Sequence, residues 1–84
     1  MNTVIDEENF QTNDLGLASA LQALSIKLLY IDRTNPKRAT FCYELTSRTQ
    51  DIVDAFWDNR LPIDAGTYFQ SIKQVKDRLY SEWK

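Results

Sequence analysis

Residues 12–24 have the sequence Thr-Asn-Asp-Leu-Gly-Leu-Ala-Ser-Ala-Leu-Gln-Ala-Leu, and this stretch decides the fold of the 84-residue chain. Leucine and alanine fall on more than one side of the helix that it predicts, from about residue 13 to residue 24. A helix that is apolar nearly all round is a buried helix. It is too short to cross a bilayer, which requires about 20 apolar residues. We therefore expect the rest of the chain to wrap around it.

The N-terminal side of this helix carries capping and packing signals. Thr12 or Asn13 is predicted to accept a hydrogen bond from the first free amides, and Asp14 adds negative charge at the positive end of the helix dipole. Phe10 is placed to pack against the first turn as a hydrophobic staple. Residues 1–9, which include three acidic side chains, are predicted to form a flexible acidic arm.

Two strands are predicted after the buried helix, over residues 26–33 and 39–45. They are separated by a turn in which Asn35 and Pro36 suit the first two positions of a type I turn. Alternation in the second strand places Phe41 and Tyr43 on one face and Cys42 on the other. The pattern favours an antiparallel β-hairpin and leaves its register open.

Two further helices follow the hairpin. Ser47 and Gln50 have the spacing of a capping box, so a second helix is expected to run to about Asp58, with Asn59 as its left-handed stop. Asp64 is predicted to cap a third helix that ends near residue 82. The side chains expected to face the core are Ile52, Val53, Phe56 and Trp57 on the second helix and Tyr68, Phe69, Ile72, Val75, Leu79 and Trp83 on the third.

The predicted order is therefore helix, two-stranded antiparallel hairpin, helix, helix. A lone hairpin is marginally stable in water, and the three helices supply the cover that it needs. We expect residues 10–84 to form one small α+β domain.

Several short stretches of the chain carry a pattern that extends over most of its length. They are Phe10-x-Thr12-x-Asp14-Leu15-x-Leu17-Ala18-x-x-Leu21-x-Ala23-Leu24, Phe41-Cys42-Tyr43, Leu61-Pro62-Ile63-Asp64, Tyr68 and Val75-Lys76. In these stretches the chain resembles a family of short, uncharacterised bacterial and bacteriophage proteins known only as a domain of unknown function. This resemblance implies an origin in a phage or another mobile element, and it brings no active-site residues with it.

The composition argues against most enzymatic chemistry. The chain has no histidine, which is the usual general base and the commonest metal ligand. Its one cysteine, Cys42, lies between two aromatic residues in a strand, where a buried, inert thiol is the favoured interpretation. Gly16 and Gly66 are isolated and form no phosphate-binding loop. We expect no enzyme, no cofactor and no bound metal ion. Because the start of the chain is acidic and carries no secretory signal, we expect a cytoplasmic protein.

An acidic edge is predicted on the second helix, where Asp51, Asp54 and Asp58 lie at positions i, i+3 and i+7. Carboxylates so arranged can bind a hard cation, although a solvated face is favoured because no ligand loop accompanies them. This edge is a candidate surface for a basic partner.

A basic patch is predicted at the hairpin tip, where Arg33, Lys37 and Arg38 lie within a few residues of each other. A basic ribbon can follow a phosphate backbone, and Tyr30 or Tyr43 is available to stack on a base. The alternative is that a turn simply requires polar residues. The net charge of −2 and the sequence pI of about 4.9 argue against a general polyanion binder.

These observations favour a non-enzymatic protein–protein interaction module from a phage or other mobile element. Trp83, next to the last residue, is a candidate partner contact because a large aromatic there either seals the core or meets a partner. The alternative function is a small nucleic-acid-binding accessory protein that uses the hairpin tip. Homodimerisation through an uncovered hairpin edge is compatible with both.

Overall fold

The structure, a computed structural model, describes residues 9–35 and 37–81 and confirms the α+β class. The helices and strands follow one another along the chain in the order β1, α1, β2, β3, α2, α3. Their bounds are β1 Asn9–Thr12, α1 Leu15–Ala23, β2 Leu28–Asp32, β3 Thr40–Glu44, α2 Ser47–Trp57 and α3 Ala65–Ser81.

The predicted hairpin is confirmed, but it belongs to a three-stranded antiparallel sheet of order β1-β3-β2. The hairpin register pairs Ile31 with Phe41, and a shift in register lies between Leu28 and Tyr30. The third strand, β1, was not predicted. Phe10 pairs with Tyr43 across the sheet instead of serving only as a staple, and Asn9, the last residue of the predicted acidic arm, pairs with Glu44. The other residues of that arm, 1–8, lie outside the described residues.

The central helix is buried as predicted. Its middle five residues, 17–21, are each at most 1% exposed to solvent. Its N-cap is neither Thr12 nor Asn13 but Asp14, whose Oδ1 accepts a hydrogen bond from the amide of Leu17 at 3.0 Å. Thr12 Oγ1 instead accepts from the amide of Asp14 at 3.1 Å. The predicted N-cap was therefore wrong by one or two residues. Thr12, Asn13 and Asp14 are all residue types that can cap a helix, and because the helix starts at Leu15, the cap is Asp14.

The sheet packs against this helix through the predicted face of β3. Phe41 and Tyr43 are 3% and 0% exposed. The Tyr43 hydroxyl donates a 2.9 Å hydrogen bond to the carbonyl oxygen of Ala18, where a small side chain lets the ring approach the helix backbone. A buried hydroxyl and a buried carbonyl thus satisfy each other.

The ends of the two C-terminal helices agree in part with the prediction. Asp64 caps α3 by accepting from the amide of Thr67 at 2.9 Å, and Asn59 has a left-handed φ of 58°. The capping box of α2, however, is formed by Thr46 and Thr49 and not by Ser47 and Gln50. Thr49 is selected because its hydroxyl also donates to the carbonyl of Glu44, which ties the start of α2 to β3.

Two aromatic residues expected in the core are on the surface. Trp57 is 58% exposed and Phe69 is 62% exposed. Each follows another aromatic residue, Phe56 or Tyr68, that takes the inward position. Because consecutive residues of a helix point about 100° apart, the second member of each pair is turned away from the core. Trp83 lies outside the described residues. Within residues 9–35 and 37–81, no helix has the length and apolar character needed to span a membrane.

The burial of the central helix makes one substitution costly. Leu21→Ala is expected to lower the free energy of unfolding by about 2–5 kcal/mol, because it leaves a cavity beside a side chain that is fully buried. Urea denaturation followed by circular dichroism measures this change. Leu29→Ala, at a leucine that is 38% exposed, is the matched control and is expected to cost less than about 1 kcal/mol. Equal losses in the two variants would contradict the central placement of Leu21.

The buried tyrosine predicts an alkaline pH dependence. Burial raises the pKa of Tyr43 to about 12 from its ordinary value of 10, although the nearby Arg78 charge opposes the shift. Between these values the folded state binds the phenolic proton and the unfolded state releases it, so the stability from this group is present below about pH 10 and falls as pH rises towards 12. Tyr43→Phe is expected to flatten that part of the pH–stability curve relative to the parent. A curve of unchanged shape would contradict the assignment.

Candidate functional site

An open groove lies where α2 ends and α3 begins. It has a volume of about 620 Å³, within the usual range for ligand-binding clefts. Most of its lining is apolar or aromatic. The lining residues are Phe56, Trp57, Asn59, Leu61, Ile63, Ala65 and Tyr68.

The groove forms because the chain between the two helices is held extended. At the end of α2 the left-handed Asn59 turns the chain, and the amide of Arg60 donates to the carbonyl of Ala55 at 3.0 Å. Pro62 then restricts both itself and Leu61 to extended backbone angles. Leu61 packs partly against the core. The two helix ends are therefore kept apart, and the apolar side chains of the linker line the space between them.

One wall of the groove is fixed to the central helix. The Tyr68 hydroxyl donates a 3.0 Å hydrogen bond to the carbonyl of Gly16. A Cβ atom at Gly16 would lie 3.3 Å from that hydroxyl and 3.6 Å from Cζ of Phe56, so the absence of a side chain permits this close approach. Phe56 in turn meets Trp57 edge-to-face, with ring centroids 5.0 Å apart. The wall is thus a packed aromatic cluster with the exposed Trp57 at its edge.

Acidic residues adjoin the groove lining in the sequence, since Asp58 follows Trp57 and Asp64 precedes Ala65. The predicted acidic edge, Asp51, Asp54 and Asp58, is exposed along α2, and Asp54 lies one helical turn before Trp57. Hydrogen bonds from the backbone and then the hydroxyl of Thr67 lower the pKa of Asp64, which favours the charged form of this exposed carboxylate. In the described part of the chain, no group of three or more His, Cys, Asp or Glu side chains is arranged to hold a metal ion.

The one basic residue within residues 49–64, Arg60, is paired with an acidic neighbour. The Arg60 guanidinium lies 3.2 Å from the Asp58 carboxylate, and both side chains are more than 60% exposed. Such a surface pair contributes little to stability, but it reduces the positive charge that Arg60 presents.

The three predicted basic residues of the hairpin have different roles. Arg33 Nη2 donates to the carbonyl of Leu79 at 2.8 Å and to that of Arg78 at 3.3 Å. These carbonyls belong to the last turn of α3, where backbone carbonyls have no i+4 amide within the helix. The carbonyl of Arg78 also accepts from the hydroxyl of Ser81 at 3.3 Å. Lys37 and Arg38 are exposed at the tip. The guanidinium of Arg33 therefore joins the hairpin to α3, while the other two bases face solvent.

The two tyrosines considered for base stacking also differ. Tyr43 is fully buried, so the expectation that it stacks on a base is wrong: its alternation in β3 places it in the core. Tyr30 is 46% exposed. Cys42 is fully buried, as predicted, and burial raises the pKa of its thiol.

Sequence reasoning did not find the groove, although one signal was present. Leu61 and Ile63 flank a proline between two helices, where a connection on the surface ordinarily carries polar residues. Apolar residues in such a linker indicate that it packs against something or lines a cleft. The role of Arg33 had no comparable signal, because its partners are more than 40 residues away in the sequence.

A comparison with family models identifies the chain's relatives. The model described as Domain of unknown function (DUF5659) matches residues 7–81. The chain belongs to this family. The match to DUF5659 spans every helix and strand described above, from β1 to the end of α3, and it confirms the expected membership of an uncharacterised family. No curated protein and no solved structure matches the chain.

The contact between Arg33 and α3 predicts a stabilising role for this base. Arg33→Ala is expected to lower the free energy of unfolding by about 1–3 kcal/mol, because it removes charge-assisted hydrogen bonds to helix-terminal carbonyls. Arg38→Ala, which removes the same charge from the exposed tip, is expected to change stability by less than about 0.5 kcal/mol. Thermal or urea unfolding of both variants checks this difference, and similar effects would contradict it.

Proposed function

We propose that this DUF5659 domain is a non-enzymatic protein–protein interaction module whose groove binds a basic, apolar segment of a partner protein. The observation that carries the proposal is the groove itself, which is lined mainly by apolar and aromatic residues, including the exposed Trp57. Asp58 and Asp64 are chain neighbours of its lining residues. An anchor side chain of the partner enters the cleft, and its lysine or arginine neighbours meet these carboxylates.

The aromatic edge supports a protein partner. Tryptophan in well-packed, desolvated positions is among the residues that contribute most to protein interfaces. Trp57 is 58% exposed, and its ring contacts that of Phe56 edge-to-face. A partner that covers this ring removes apolar surface from water, which favours binding.

The charge around the groove supports a basic partner. Residues 49–64 carry four acidic side chains and one basic side chain, which gives this stretch a net charge of −3. The basic side chain, Arg60, is paired with Asp58. Complementary charge on the partner accelerates encounter and disfavours acidic competitors. This attraction acts between exposed groups, so it weakens as salt rises.

We also propose that the protein is cytoplasmic. This proposal and the proposed absence of enzymatic activity are supported by composition and burial. The chain has no histidine, and Cys42 is its only cysteine. Burial raises the pKa of that thiol, which disfavours the nucleophilic thiolate. A single free cysteine is typical of proteins from reducing compartments. The resemblance to bacterial and phage proteins supports a role in a phage or other mobile element, with a host factor as the partner.

Peptide selection tests the proposed groove. Random peptides displayed on phage are selected against the domain, and the enriched peptides are expected to combine a large apolar residue with flanking lysine or arginine. Trp57→Ala is expected to weaken their binding by about tenfold or more, as for an interface hot spot. Phe69→Ala is the matched control, because Phe69 is equally exposed but does not line the groove.

Charge reversal provides the second arm of the test. Asp54→Lys on α2 is expected to weaken the selected peptides more than Asp77→Lys, which makes the same change at an exposed position of α3. Enriched peptides without basic residues, or equal effects of Trp57→Ala and Phe69→Ala, would refute the proposal.

A further inference from the structure

A second exposed surface lies on α3, away from the groove lining. Four of its side chains are spaced at i, i+4, i+7 and i+11, which places them within an arc of about 60° and over a length of about 16 Å. All four are exposed, including Phe69 at 62% and Tyr80 at 57%. This aromatic–basic stripe consists of Phe69, Lys73, Lys76 and Tyr80.

The stripe takes no part in the core. The buried residues of α3 are Ser71 and Val75, which point to a different side of the helix. Single exposed aromatics are common on protein surfaces and carry no functional meaning by themselves. Here two of them bracket two lysines in one line, and the Lys73 ammonium already lies 5.6 Å from the ring centroid of Phe69. The combination of two rings and two positive charges along one line of the helix is what indicates a ligand.

The basic hairpin tip lies at the same end of the molecule as the end of the stripe. Arg33, at the end of β2, reaches the carbonyls of Arg78 and Leu79, the two residues before Tyr80. Lys37 and Arg38 follow within five residues of Arg33 and are exposed. The hairpin loop that carries these two bases therefore begins at the same end of α3 as Tyr80.

We propose that the aromatic–basic stripe, extended by Lys37 and Arg38, binds single-stranded nucleic acid without sequence preference. The four positive charges contact phosphates, and the rings of Phe69 and Tyr80 stack on bases, which is the combination that single-strand binders use. The single strand is favoured over the duplex because rings on a convex helix can stack only on bases that are exposed.

The stripe also has features that limit the affinity. Asp77 is exposed one turn after Lys73, and the chain carries a net charge of −2. Binding is therefore weak and depends strongly on salt. Neutralising about four phosphates of a single strand predicts a slope of about −2.8 in log affinity against log salt concentration, or about a 50-fold loss between 50 and 200 mM.

Fluorescence anisotropy with a labelled oligothymidine of about 20 nucleotides, at these two salt concentrations, tests the proposal. Lys73→Ala with Lys76→Ala is expected to weaken binding at low salt and to reduce the salt dependence to about sevenfold. Phe69→Ala with Tyr80→Ala is expected to weaken binding at both salt concentrations without changing the slope. Both pairs of substitutions are at exposed positions, and circular dichroism checks that the variants fold.

Two controls separate binding at this stripe from binding elsewhere on the domain. Lys27→Ala with Arg48→Ala removes the same charge from exposed positions outside α3 and the hairpin tip, and is expected to leave most of the binding intact. Trp57→Ala is expected to have no effect, so the result is independent of the proposed groove function. The proposal is overturned if the oligonucleotide does not bind at 50 mM salt, or if the Lys27/Arg48 control loses as much affinity as the Lys73/Lys76 variant. It is also overturned if a duplex binds as tightly as the single strand, or if the domain binds anionic vesicles and not the oligonucleotide.

Discussion

Burial of α1 between the sheet and the other two helices is the constraint on which the structure depends. Small residues make it possible: Ala18 and Ala20 are fully buried and let neighbouring elements approach the helix backbone. The polar atoms that this approach buries are paired. The hydroxyl of Ser19 donates to the carbonyl of Leu15 at 2.7 Å, and the carbonyl of Ala18 accepts from Tyr43. A helix with larger side chains at these positions would hold its neighbours too far away to form these contacts.

The same constraint determines which aromatic residues remain outside. The central helix offers room for one aromatic from the end of α2 and one from the start of α3, and these are Phe56 and Tyr68. The next residue in each helix points about 100° away and is left exposed. Trp57 then lies at the edge of the groove, and Phe69 begins the aromatic–basic stripe. Both candidate surfaces are thus consequences of how the core is filled.

The sequence predicted features with a local cause and missed those set by distant contacts. Apolar periodicity and turn residues identified α1, the hairpin and both later helices, and Asn59 and Asp64 had the predicted roles. Strand β1 has four residues, too few for a pattern, and exists because β3 offers it a free edge. In the structure Thr49, and not the predicted Gln50, completes the capping box, because its hydroxyl also donates a hydrogen bond to the carbonyl of Glu44 in β3. The groove depends on the spacing of two helix ends, which no single segment encodes.

The small net charge of −2 conceals a separation of charge that the fold creates. Helix α3 connects an acidic region with a basic one. Its first residue, Ala65, follows Asp64 and lines the groove, and the carbonyl of Leu79 near its other end accepts a hydrogen bond from Arg33, which precedes the basic hairpin tip. A helix of 17 residues is about 25 Å long, about three times the Debye length at physiological salt. Each region therefore presents its own field to an approaching molecule, and neither cancels the other. A sum over the whole sequence hides this property, because opposite charges cancel in the sum but not at the two ends of the folded domain.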